Sequence, residues 1–120
     1  MTTDNIQIEI CTLEPKIVSI LGTDYVIKHV VLGNDDADGY CDYTSKEIVI
    51  RDDNYNKVGD FEWLQKKQLR HEIIHAFMSE SGLQHNWQHA DEFGQDETTV
   101  DWFAIQSPKI IKAFQDANAL

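Results

Sequence analysis

The chain has 120 residues, enough for one domain with a modest core and too few for two. Its 42% hydrophobic and 26% charged residues are those of an ordinary globular protein, and no apolar run approaches the roughly 20 residues that span a bilayer. A formal net charge of −11 repels phosphate backbones, so no nucleic-acid partner is expected; the acidity reads first as a solubilising surface, and otherwise as one that favours cations and basic partners.

The first residues, Met1 to Ile10, lack a basic stretch followed by a long apolar one, so no secretory signal is expected and the chain reads as cytoplasmic. Cys11 and Cys41 stand far apart, form no CxxC pair and read as two reduced thiols, one disulfide being the alternative. Ile6, Ile8 and Ile10 alternate with polar neighbours, the period of a half-buried strand. Lys16–Ile20 and Asp24–Leu32 are rich in Val and Ile, and Leu21-Gly22-Thr23 between them predicts a hairpin. Gly33–Gly39 reads as an exposed loop. Tyr40–Tyr43 and Glu47–Arg51 predict a second hairpin turning near Thr44-Ser45-Lys46, and Asp52–Gly59 is again loop.

From Phe61 to Ser81 there is no Gly or Pro, Asp60 is a suitable N-cap, Glu62 suits the first turn and Gly82 is a natural stop. Leu69, Ile73 and Phe77 fall on one stripe of this helix, Ile74 and Met78 on another. Leu83–Ala90 reads as a polar connector, followed by a second helix from Asp91 or Glu92 to Gln106. Ser107-Pro108 then predicts a new N-cap with proline at the first helical position, opening a short last helix.

Chemistry concentrates in His71-Glu72-Ile73-Ile74-His75, in the middle of the first helix. Residues four apart are neighbours on one helical face, so His71 and His75 can reach one ion, while Glu72 is rotated around the helix and can approach a water without being a ligand. A catalytic zinc ion takes three protein ligands and keeps one position for water. The extended HExxHxxGxxH pattern is absent, because Met78 and Ser81 stand at its Gly and third His. Glu97 is the favoured third ligand, with Asp101 four residues on as acceptor for the outer N–H of a ligand histidine. Two such carboxylates would otherwise be a solvated helical face. His85 and His89 are the alternative third ligands, and Asp91 and Glu92 read as helix-start residues. His29 reads as a packing or surface residue, and Tyr40 and Tyr43 could reach the cleft, although the sequence gives no geometry for them.

The segments Lys46–Ile50, Gln68–Phe77 and Glu97–Ala104, followed by Pro108, resemble the ImmA/IrrE-type metallopeptidases, a gluzincin-like family common in phages and mobile elements. The resemblance spans about residues 38–110. It implies zinc, with Glu97 as the third ligand. Asp101 stands where that family usually has Asn and Val100 where it has Ala, and the first 35 residues read as strands where the family has helix.

The expected fold is α+β: residues 1–120 form a single zincin-like domain, a small mainly antiparallel sheet followed by the active-site helix and one or two further helices. The expected function is zinc-dependent hydrolysis of a peptide bond in a protein or peptide substrate. Zinc (Zn2+) on His71, His75 and Glu97 would acidify a water, Glu72 would take its proton, and His85, His89 or Tyr40 are candidates to steady the oxyanion. The alternative is a zinc-stabilised, non-catalytic protein-binding module, a phage adaptor or inhibitor on the same scaffold. No membrane partner is expected, and the sequence leaves the oligomeric state open.

Overall fold

The computed structural model describes residues 13–83 and 97–120, with the backbone alone at residues 97–101 and 104. The expected strand around Ile6–Ile10 and the connector with His85 and His89 lie outside the described residues. So do the start of the second helix near Asp91 and the state of Cys11.

Among the described residues, four strands and two helices follow in order: β1 (Lys16–Ile20), β2 (Thr23–Val30), β3 (Gly39–Asp42), β4 (Glu47–Arg51), α1 (Phe61–Glu80) and α2 (Glu97–Asp116). The α+β expectation is met. β1 and β2 pair antiparallel through a two-residue turn, Leu21 and Gly22, whose φ values of 51° and 87° match the primed turns that suit strand twist. Thr23, expected in the turn, pairs with Ile20 as the first residue of β2. β3 and β4 form the second hairpin. The Asp42 carboxylate accepts from Thr44 N and Oγ1 at 2.9 and 2.5 Å and nucleates its turn; those bonds hold the carboxyl below its usual range.

The sheet order is β1-β2-β4-β3, with β2 and β4 parallel. The second hairpin therefore docks through its second strand, and β3 becomes an edge. The loop that carries the chain across is tied down by Arg51, which is 2% exposed. Its guanidinium donates to the carbonyls of Gly33 (2.8 Å), Ala37 (3.0 Å) and Asp35, and to Asp53 (3.0 Å). Asp53 in turn accepts from Leu32 N and Gly33 N at 2.8 and 3.1 Å.

One face of the sheet carries Val18, Ile20, Tyr25, Ile27, Ile48 and Ile50, all buried against the helices. They meet Leu69, Ile73, Ala76 and Phe77 of α1 and Trp102, Ile110 and Ala113 of α2. α1 begins as expected, with the Asp60 carboxylate accepting from Trp63 N at 3.1 Å, and ends before Gly82 at φ 82°. Its Leu69–Ile73–Phe77 stripe is fully buried, whereas Ile74 and Met78 are half-buried.

The expected break at Ser107-Pro108 is not there: α2 runs unbroken with Pro108 inside it. An interior proline removes one backbone donor and costs about 3 kcal/mol. Burial of Trp102 and Ile110, worth about 1.5–3 kcal/mol for each fully buried large apolar side chain, holds the helix across that defect. The Ser-Pro pair is locally a good helix start, and only packing on both sides of it reveals a helix interior. No helix among the described residues is long and apolar enough to cross a membrane.

Candidate metal centre

α1 is fastened to the sheet at both ends. Near its start, Gln65 Nε2 donates to the Arg51 carbonyl at 3.0 Å. At its end, the Glu80 carboxylate accepts from Tyr25 Oη at 2.7 Å and from Lys46 Nζ at 2.8 Å. Those two donors, Lys46 foremost, hold the Glu80 carboxyl below its usual range, although a carboxylate at a helix C-terminus is otherwise disfavoured. The helix is thereby aligned with Gln68, His71, Glu72 and His75, around and just past its midpoint, lining a cleft with β3.

His71 and His75 are both exposed, and their Nε2 atoms lie 3.2 Å apart, with ring centroids at 4.8 Å. Tetrahedral zinc with Zn–N bonds of about 2.0–2.1 Å sets two imidazole nitrogens roughly 3.3 Å apart. The spacing of the pair therefore suits one ion. Glu72 is 3% exposed, and ligand atoms of His71, Glu72 and His75 all lie within 4.8 Å of one another. This group could hold a metal ion. The side chains of Glu97 and Asp101, the expected third ligand and its outer partner, lie outside the described residues; their backbone forms the first turns of α2. α2 reaches α1 through Trp102, whose Nε1 donates to Ser81 Oγ at 2.8 Å.

The histidines open into a cleft of about 410 Å³ between α1 and β3. Tyr40 and Tyr43, whose geometry the sequence leaves open, line it. Gly39, Cys41, Gln68 and Ser79 line it too, and sequence reasoning did not single them out for the site. Gln68 and Ser79 were within reach of that reasoning. They lie one turn before Glu72 and one turn after His75, on the same face of α1. Gly39 and Cys41 come from a strand whose position over the helix is set by sheet order alone. Burial first, and then the neighbouring Glu72 carboxylate, push the Cys41 thiol up to about 12, so it stays protonated and is a poor nucleophile.

His29, read as a packing or surface residue, is half-buried. It lines a separate cavity of about 270 Å³, together with Lys16 and Lys66, that shares no residue with the histidine cleft.

Comparison with protein-family models, with curated proteins and with solved structures finds no match to this chain.

Proposed function

We propose that this chain is a zinc metallopeptidase of the HExxH class, ImmA/IrrE-like and gluzincin-like in its ligand set, acting on a protein or peptide in the cytoplasm. The observation that carries the reading is the 3.2 Å separation of the His71 and His75 Nε2 atoms, beside a buried carboxylate, in an open cleft. A structural zinc ion is closed off by four protein ligands. Two exposed histidines facing a cleft of this size support a site that keeps a position for a reactant.

His71, His75 and Glu97 would hold zinc, and Asp101 would steady a ligand histidine. Zinc supplies Lewis acidity, lowering the pKa of a water towards ~7 and polarising a carbonyl. Glu72 accepts the proton that water loses as its oxygen bonds to the peptide carbon. As the C–N bond breaks, Glu72 returns that proton to the departing amine, so the carboxylate ends as it began. Tyr40 and Tyr43 line the cleft where an extended substrate would lie.

Elemental analysis of protein purified without a His-tag tests the reading. About one zinc per chain is expected in the wild type and none in the His71→Ala/His75→Ala double variant. A wild type that stays zinc-free after reconstitution would end the enzyme reading.

A further inference from the structure

We infer that Gln68 is the positioning residue for Glu72, and that the edge strand β3 holds it in place through Gly39; this rests on the proposed role of Glu72. A buried carboxylate needs a donor, and a base also needs a fixed direction. Gln68 Nε2 donates to Glu72 Oε2 at 2.5 Å, one helical turn away on the same face of α1. An amide is a neutral donor. It can fix one carboxylate oxygen without bringing a second cation beside a metal-binding pair, and it leaves the other oxygen for proton transfer.

The amide is itself confined. A Cβ built on Gly39 would come within 3.0 Å of Gln68 Cγ and 2.7 Å of the Val49 carbonyl oxygen. The bare backbone of β3 therefore lies directly against the Gln68 side chain and prevents it from swinging towards the strand. β3 is fixed in turn, since Arg51 N donates to the Asp38 carbonyl at 2.9 Å just before Gly39. The Cys41 thiol, two residues on, also lines this wall of the cleft. Gln68 thus couples the sheet edge to the reacting group: strand backbone, then Gln68, then Glu72.

A role that only fills space can be separated from one that orients. Gln68→Met keeps the length of the side chain and removes the donor. The first readout is nuclear magnetic resonance of metal-free protein, with the Gln68 side-chain amide assigned from its loss in Gln68→Met. That amide is expected to shift in Glu72→Ala, and an unmoved signal would overturn the contact whether or not the protein is a peptidase. The second readout is the affinity of zinc-loaded protein for acetohydroxamic acid, whose hydroxyl proton the Glu72 carboxylate would accept. Gln68→Met is expected to weaken it about tenfold with zinc content unchanged, as for residues that orient others at metal sites. The double variant Gln68→Met/Glu72→Ala should bind no worse than Glu72→Ala alone, because Gln68 acts through Glu72. Additive losses, or wild-type affinity in Gln68→Met, would overturn the inference. Absence of zinc from the wild type would instead overturn the proposed function, leaving the resonance result to decide the contact.

Discussion

Arg51 and Glu72 are both charged and both buried, at 2% and 3% exposure, yet their surroundings differ in kind. The two terminal nitrogens of Arg51 make four hydrogen bonds, three to loop carbonyls and one to Asp53, and its Nε lies 3.4 Å from Asp38. Among the described residues, Glu72 accepts from Gln68 and otherwise faces a cleft that holds two exposed histidines. A buried charge surrounded by partners has its capacity spent on the fold. A buried charge with one described partner, beside a cleft and side chains that could hold a metal ion, retains capacity for chemistry.

The largest effect expected from that contrast is on turnover. Glu72→Gln keeps the size of the side chain and should retain zinc, but should lower hydrolysis of an unstructured protein such as casein about a thousandfold. Equal turnover in variant and parent would remove Glu72 from the mechanism. Arg51→Met should do the reverse. It removes one donor from Asp53 and the donors to three loop carbonyls, and should cost about 3 kcal/mol in urea unfolding while zinc content stays near the wild-type value. A cost under about 1 kcal/mol would mean that the crossover loop is held by its other contacts.

Gly39→Ala joins the two regions, because Gly39 follows the Arg51-bound loop and presses on Gln68. A contact of 2.7 Å to a backbone oxygen cannot relax cheaply. We expect a loss of about 2 kcal/mol by the same unfolding measurement, and turnover down about tenfold. Full turnover with reduced stability would cut the link between sheet edge and base.

The smallest effect concerns the anchor at the end of α1. Tyr25→Phe removes one donor to Glu80 and should cost about 1 kcal/mol at neutral pH. The folded-state pKa of Glu80 is depressed from 4.5, so the stability it contributes is fully present above that value. It is lost as the pH falls below 4.5 and through the folded pKa. The difference between Tyr25→Phe and wild type in thermal unfolding should therefore shrink as the pH is lowered from 6 to 3. A difference that stays constant would show that the Tyr25 hydroxyl acts otherwise than through the Glu80 carboxylate.

Much of this molecule was legible from local pattern. The two hairpins, the limits of α1 and the meeting of His71 with His75 follow from alternation, from caps at Asp60 and Gly82, and from the rotation of about 100° per helical residue. Each depends on residues near one another in the chain. The misreading at Ser107-Pro108 has the same origin, since a local helix-start signal was overruled by the burial of Trp102 and Ile110 on either side of it. What local pattern could not supply was the partner of each element. The parallel pairing of β2 with β4 sets β3 at the edge beside α1. It thereby brings Gly39 against Gln68 and Cys41 beside Glu72, and it buries Arg51 among loop carbonyls. Those neighbours are distant in sequence, and their contacts depend on which strand wins the centre of the sheet. That competition is settled by the summed burial of Ile27, Ile48 and Ile50 against the helices, and no short stretch of sequence contains it.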